Sequence, residues 1–274
     1  MIGAASRQSL GSLDEQVDAA VRSADDDALE GIAGELYDVS AILAAQPQLR
    51  RMLGDTSTEP SSRSDLAGRI FRGRVSDAAF RVISAAVELR WSGAWDLTDA
   101  IEIAADRVLL GLADRRGALD AVEDQLFRFG RIVDANDELR SHLDEETVPA
   151  QRRAQLLDSL LSAKADPVTV ELLDRTVRSG RKHSVALAVD GLLDEVALRR
   201  QRATAVVRSA VALTDAQTAR LAAVLREMYG RDIDIRVVLD PDVQGGLIIK
   251  VGDEVIDGSV AGRLAAARSA LNYQ

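Results

Sequence analysis

The sequence contains no cysteine, only two histidines and 3% aromatic residues. Without cysteine the chain forms neither disulfides nor thiolate metal sites. The histidines, His142 and His183, are far apart in the sequence and lack the ligand spacing of a zinc site. We therefore expect no metal site and no cofactor.

Long apolar runs and an excess of positive charge are also missing. No stretch approaches the ~20 apolar residues of a membrane helix, and the first residues lack the basic and apolar regions of a signal peptide. The chain has 44 Asp and Glu against 34 Lys and Arg, a net charge of −10. Because nucleic-acid clamps need surplus Lys and Arg, we expect no nucleic-acid partner and no direct membrane insertion.

The excess of acidic residues is confined to one part of the chain. The 274 residues are 47% hydrophobic and 28% charged, which is typical of globular domains with ample core material. Residues 201–274 carry nine basic and nine acidic side chains, so all the excess acidity lies before Gln201. This shift predicts a domain boundary near residue 200.

Before this boundary, apolar residues recur at helical spacing in Ala-rich sequence without β-branched runs. The apolar stripes are Leu36, Val39 and Leu43 on one face; Ile83 and Val87 in another segment; and, further on, Leu156 and Leu160 and then Leu172, Leu173 and Val177. The pattern predicts helices throughout this part.

After the boundary, strand and helix patterns alternate. Strands are expected at Thr204–Val211 and, with Ile233, Ile235, Val237 and Leu239 on one buried face, at Asp232–Leu239. Between them, Thr214-x-x-Gln217 is a capping box that begins a helix ending at Gly230, with Leu221, Val224, Leu225 and Met228 as its buried stripe.

The sequence after Leu239 predicts a hairpin followed by a helix. Leu247–Val251 and Val255–Ile256 flank a tight turn at Gly252-Asp253, and Asp257-Gly258-Ser259 caps a final helix to about Ala270. The sequence thus predicts a four-stranded α/β domain.

The helical part repeats itself at an offset of 90 residues without gaps. Leu36-Tyr37 aligns with Leu126-Phe127, and Leu49-Arg50 aligns with Leu139-Arg140. We therefore expect a mainly α chain with a tandem, duplicated helical bundle, residues 1–117 and 118–200, followed by the small α/β domain, residues 201–274. Chance agreement between two Ala- and Leu-rich bundles remains the alternative.

Motifs that carry chemistry are scarce. The sequence has no phosphate-binding glycine loop and no zinc-binding helix motif. Ser259 lacks the nucleophile-elbow pattern of a catalytic serine. The run Asp25-Asp26-Asp27 fits a solvated helix start better than a cation site. Trp91 and Trp95 fit core packing between helices better than a ligand-binding box. We expect no catalytic residue.

The C-terminal segment from Pro241 to Leu264 resembles the signature of the delta-subunit family of bacterial F-type ATP synthases, the counterpart of the mitochondrial oligomycin-sensitivity-conferring protein. The residues that carry the resemblance fall in family order and spacing: Gly245, Gly246, Lys250, Gly252, Asp253, Asp257, Gly258, Ser259, Arg263 and Leu264. The resemblance covers about residues 118–274. The extra bundle and the 31 arginines among 34 basic residues are similar to the long actinobacterial form.

The resemblance implies a mechanical role. In this family the helical domain holds the N-terminal segments of alpha subunits on the catalytic head, and the C-terminal domain engages the C-terminal end of the b stalk. The two domains form part of the stator, which resists rotor torque during ATP synthesis at the cytoplasmic face of the cell membrane. An acidic helical domain suits basic partner segments.

Two other functions remain open. A helical adaptor or regulator unrelated to ATP synthase would account for the bundles but not for the C-terminal signature. An enzyme would need polar groups that converge in a pocket, around residues such as Arg178, Arg181 or Asp253.

Overall fold

We describe the fold from a computed structural model of the chain, which covers residues 4–145, 147–161, 164–179, 184–202, 204–229, 233–241, 243, 245–251 and 254–260. The chain divides into two compact units, residues 1–195 and 196–274. Across the described residues, no helix combines the length and the apolar character needed to span a membrane. The predicted fold class, a mainly α protein with a small α/β part at its C-terminal end, is confirmed.

Helices make up most of the first unit, and one further helix, α12, lies in the second. Their bounds are α1 Ala4–Val21, α2 Asp26–Ala45, α3 Pro47–Gly54, α4 Pro60–Phe71, α5 Asp77–Glu88, α6 Asp96–Arg115, α7 Leu119–Ala135, α8 Asp137–Asp144, α9 Ala150–Leu161, α10 Pro167–Ser179, α11 Val185–Arg202 and α12 Asp215–Tyr229.

Helix bounds recur at the offset of 90 residues seen in the sequence. Helices α3 and α4 have their counterparts in α8 and α9 at this offset, residue for residue. A side-chain contact recurs as well. The Glu35 carboxylate accepts a hydrogen bond from the Ser76 backbone N–H at 2.9 Å, and the Gln125 amide oxygen accepts one from the Asp166 N–H at 2.8 Å.

The predicted helical stripes are largely buried. Leu36, Leu43, Ile83 and Val87 are fully buried, as are the three members on α10. The stripe on α9 is the exception: Leu156 is half-buried, and Leu160 is 39% exposed. Leu160 therefore lies at the surface and not in the core, because α9 covers the bundle chiefly through Arg153, Ala154 and Leu157.

Buried arginines donate hydrogen bonds to the last backbone carbonyls of three helices. Arg50 donates to the carbonyls of Leu43 and Ala44, at 2.8 and 3.1 Å, at the end of α2. Arg63 donates to the Leu89 and Glu88 carbonyls, and Arg153 donates to Leu143 O. The last carbonyls of a helix have no partner within it, so these cations satisfy acceptors that burial would otherwise leave without a donor.

A buried polar contact joins α2 to α6. The Tyr37 hydroxyl donates to the Asp106 carboxylate at 2.6 Å, and the Arg175 guanidinium lies 5.0 Å from the centre of the Tyr37 ring. Burial and the neighbouring Asp106 charge raise the pKa of Tyr37 well above its ordinary value. The phenol therefore stays neutral and works as a hydrogen-bond donor between the helices.

The acidic run and the tryptophans have structural roles. Asp25 is the N-cap of α2 and accepts from Ala28 N at 2.9 Å, as expected for a helix start. Trp91 is buried and donates to Ala86 O, whereas Trp95 is 43% exposed and stacks on Arg50 at 3.5 Å. The two rings flank the turn before α6, so the prediction of core packing is right for Trp91 only.

The second unit contains a mixed four-stranded sheet in the order β2-β1-β3-β4. The strands are β1 Thr204–Ser209, β2 Asp234–Leu239, β3 Ile248–Val251 and β4 Glu254–Asp257. Strands β1 and β2 are parallel and are joined through α12, while β3 is antiparallel to both β1 and β4. The predicted turn at Gly252-Asp253 and the helix beyond Val260 lie outside the described residues.

The capping box at the start of α12 is confirmed. The Thr214 N–H donates to the Gln217 side-chain oxygen at 2.9 Å, and the Gln217 N–H donates to Thr214 Oγ1 at 3.3 Å. These reciprocal contacts satisfy two amides that the first turn of the helix leaves unpaired. Gly230, predicted to end α12, lies outside the described residues.

Two buried faces predicted for this unit are partly wrong. On α12 only Leu225 is buried; Leu221 packs partly buried against the same core, whereas Val224 and Met228 are 45% and 47% exposed. On β2, Leu239 is 61% exposed because it is the last residue of an edge strand. The first predicted strand ends at Ser209, two residues before Val211.

Candidate functional site: the glycine clasp and the open sheet face

The residues singled out in the C-terminal segment come together at one end of β3 and β4. Gly245 and Gly246 precede β3, whereas Gly258 and Ser259 follow β4. We call these four residues the glycine clasp. Gly252, Asp253, Arg263 and Leu264 lie outside the described residues.

The first two glycines of the clasp have backbone angles that other residues avoid. Gly245 has φ +74° and Gly246 has φ +83°, both in the left-handed region. A Cβ atom at Gly246 would lie 2.3 Å from the Gly258 carbonyl oxygen and 3.0 Å from the Ser259 Cα. Two stretches of backbone thus touch here, and only glycine leaves room for the contact.

Backbone hydrogen bonds hold the clasp closed. Gly258 N–H donates to Leu247 O at 2.9 Å, and Val260 N–H donates to Gly245 O at 3.0 Å. The Asp257 carboxylate accepts from the Ser259 N–H at 2.9 Å, and hydrogen bonds from Ser259 lower the pKa of Asp257. Ser259 is only 4% exposed, in a setting that suits a structural role better than a nucleophile.

The sheet buries one face and leaves the other open. Ala205, Val207, Ile249 and Val251 pack with Leu225 of α12 in the core of the unit. The alternate residues point to the opposite face. We call this the open face; its members in the described strands include Val206, Arg208, Arg236, Val238, Ile248, Lys250 and Val255.

The open face combines apolar and basic side chains. Val238 is 42% exposed and Val255 is 57% exposed, and Lys250 lies between Val206 and Val255 in the strand register. Arg208 pairs with Asp240. Exposed apolar side chains with basic neighbours are a composition typical of protein-docking surfaces.

The other residues considered for chemistry are scattered. His142 is exposed on α8, and Arg178 pairs with Asp174 one turn away on the surface of α10, a contact that raises the pKa of Arg178. Within the described ranges no three His, Asp or Glu side chains are placed to hold a metal ion. His183, Arg181 and Asp253 lie outside the described residues.

Sequence reasoning did not identify the open face as a surface. The alternation in β1 and β3 predicts which residues share a face, but not that helix α12 covers one face only. Val255 is exposed and pairs with Lys250 across the β3–β4 hairpin. In the sequence, only the turn residues indicate the strand register that brings these two side chains together.

Comparison with known proteins identifies a family. The family model described as "ATP synthase delta (OSCP) subunit" matches residues 107–271. The ATP synthase subunit delta of Acidothermus cellulolyticus is 43% identical over 242 residues, 88% of each chain. That of Streptomyces griseus is 42% identical over 266 residues, which cover 97% of this chain and 98% of the relative.

A third relative is longer than the present chain. The ATP synthase subunit b-delta of a Mycobacterium species, strain KMS, is 40% identical over 266 residues, 97% of this chain but 60% of the relative. The family model begins within α6, whereas the relatives also match most of the preceding residues. The similarity therefore extends over both units described above.

Proposed function

The chain belongs to the ATP synthase delta (OSCP) subunit family, and from this premise we propose that it is a non-catalytic stator subunit of the proton-translocating F-type ATP synthase. In this role it links the catalytic head to the b stalk at the cytoplasmic face of the membrane and resists rotor torque. The observation that carries the proposal is the match along nearly the whole chain to relatives named subunit delta.

The first 200 residues are proposed to be two copies of one helical bundle, with domain bounds at 117/118 and 200/201. The recurrence of α3 and α4 as α8 and α9 and the paired contacts of Glu35 and Gln125 support this proposal. The helical part would receive the N-terminal segments of alpha subunits. Its acidic excess favours basic partner segments.

The C-terminal end of b is proposed to dock on the open face of the sheet. Apolar surface is exposed there at Val238 and Val255 beside the cations Arg236 and Lys250. The name of the relative called subunit b-delta joins both designations in one chain, which supports direct association of the two parts. The signature residues of the glycine clasp would act structurally, by keeping β3 and β4 in place beneath this surface.

A charge introduced into the open face tests where b docks. Val255→Asp is expected to weaken binding of a purified b cytoplasmic segment to the full chain by at least about tenfold, because it places a carboxylate in an apolar contact. The matched control is Met228→Asp, which alters an apolar residue on α12 that is 47% exposed, against 57% for Val255, and should leave the affinity unchanged. Isothermal titration calorimetry measures both. A loss with Met228→Asp but not with Val255→Asp would place the interface on α12 instead.

A helical adaptor unrelated to ATP synthase, the alternative left open by the sequence, is not favoured by the family match. An adaptor of that kind would bind neither the b segment nor the catalytic head.

A further inference from the structure

Helix α6 is buried on every side. Thirteen of its twenty residues are buried, and every residue from 96 to 114 is buried or half-buried. Helix α2, which has the same length, buries eight residues and exposes others, such as Gly31, Asp38 and Ile42, on its outer side. A helix at the surface of a bundle buries a single stripe. The burial of α6 therefore requires neighbouring elements on more than one of its sides.

One set of neighbours of α6 belongs to the first copy of the bundle, residues 1–117. Helix α2 contacts α6 through the hydrogen bond from the Tyr37 hydroxyl to the Asp106 carboxylate. Helix α1 contacts it through Asp14, whose carboxylate lies 2.8 Å from the Arg107 guanidinium. These contacts make α6 the last helix of the first copy.

A second set of neighbours belongs to the second copy, residues 118–200. The Arg107 guanidinium donates to both carboxylate oxygens of Glu195 on α11, from Nε at 2.6 Å and from Nη2 at 3.2 Å. Such forked pairing fixes the orientation of the two groups better than a single hydrogen bond does. Helix α10 also packs against α6, and its Arg175 lies over the Tyr37 ring. Arg107 thus contacts the first helix of the first copy and the last helix of the second.

The packing of α6 against the second copy follows the 90-residue offset. Helix α10 begins at Pro167, 90 residues after Asp77 at the start of α5. In the first copy α5 packs against α1, and in the second copy α10 packs against α6. Helix α7, the counterpart of α2, approaches α11 closely, since a Cβ on Gly130 would lie 3.3 Å from a Val189 methyl. Helix α6 therefore has, in the second copy, the position that α1 has in the first.

Two further observations agree with this position. The match to the family model begins at residue 107, inside α6 and not after it. Residues 1–195, which include the first copy and almost all of the second, form one compact unit. Both observations place at least part of α6 together with the helices that follow it.

We propose that α6 is shared by the two copies, as the last helix of the first and the first helix of the second. Residues 118–200 then lack a first helix of their own and use one that precedes them in the chain. Separating the copies would expose a buried side of α6 and part Arg107 from Glu195, so the first unit unfolds in one cooperative step. Two bundles that merely touch would unfold one at a time. The inference rests on the proposed duplication of the bundle and is independent of the stator role.

Matched substitutions in the full chain test the proposal. Leu53 on α3 and Leu143 on α8 are counterparts at the 90-residue offset, and both are fully buried. Leu143→Ala leaves a cavity in the second copy, whereas both tryptophans, Trp91 and Trp95, lie in the first. The tryptophan-detected urea midpoint is nevertheless expected to fall by about 1 M, as it should with Leu53→Ala. Val133→Ala, a smaller deletion at a fully buried position of α7, should lower it by less.

Hydrogen exchange identifies the role of α6. In a shared helix the α6 amides are expected to exchange at least about tenfold faster in both Leu53→Ala and Leu143→Ala, because either cavity destabilises the whole unit. Leu187→Ala is the control. This side chain lies on α11 and is 72% exposed, so its removal should leave the urea midpoint and the α6 exchange rates unchanged.

The proposal would be overturned if Leu143→Ala and Val133→Ala left the tryptophan midpoint at its wild-type value, or if they accelerated exchange in α7 to α10 but not in α6. These measurements need no partner. Failure of the stator role would instead appear as loss of binding to the catalytic head and b.

Discussion

Replacing Arg107 with alanine is expected to destabilise the first unit by about 3–5 kcal/mol, because it removes the cation from a buried cluster of three charges. Arg107 of α6 contacts Asp14 of α1 at 2.8 Å and Glu195 of α11 at 2.6 Å. The three side chains are 11%, 4% and 17% exposed. A buried carboxylate that loses its cation retains its desolvation cost without the compensating attraction.

Urea unfolding followed by tryptophan fluorescence measures this effect, since both tryptophans of the chain, Trp91 and Trp95, lie in the first unit. Arg128→Ala is the control. Its partner Asp124 lies one turn away, and the two side chains are 72% and 52% exposed, so the change should stay within about 0.5 kcal/mol. A similar small change for Arg107→Ala would contradict a structural role for the cluster.

Gly246→Ala is expected to destabilise the second unit by about 3 kcal/mol or more. The left-handed backbone at this residue costs an alanine about 1–2 kcal/mol, and the new methyl group would lie 2.3 Å from the Gly258 carbonyl. The glycine clasp cannot close around it without moving backbone, so β3 and β4 lose their mutual position.

Gly245→Ala distinguishes the cost of backbone strain from that of a steric clash with backbone. Gly245 has a similar φ of +74°, but its Cβ would meet a side-chain methyl of Val260 at 3.2 Å. It should therefore cost only the backbone strain, about 1–2 kcal/mol. Hydrogen exchange of the β1 and β3 amides reports on this unit, while the tryptophan transition of the first unit stays unchanged. Equal protection in Gly246→Ala and wild type would show that the clasp does not hold the sheet.

Local patterns predict much of this fold because they depend on neighbouring residues. The capping box at Thr214 and the N-cap at Asp25 involve contacts over three residues, and both form as expected. The core stripe of α2 follows from helical period. The helical period does not indicate how much of an apolar stripe the neighbouring elements cover. For this reason the exposure of Val224 and Met228 on α12 could not be predicted.

Contacts between distant residues leave no such signal. Arg107 contacts Asp14, which lies far before it in the sequence, and Glu195, which lies far after it. Nothing in the spacing of these three residues indicates that they form a cluster. Gly246 and Gly258 stand out in the sequence, yet their contact appears only once the hairpin folds.

The most direct test of the proposed function is whether one chain joins two partners. The full-length protein is mixed at micromolar concentration with the purified catalytic head and with a b cytoplasmic segment, and the mixture is separated by size-exclusion chromatography. We expect a single peak that contains all three components, and no joint peak of head and b segment when the chain is omitted. Elution of the chain apart from either partner would contradict its assignment as the link between head and stalk.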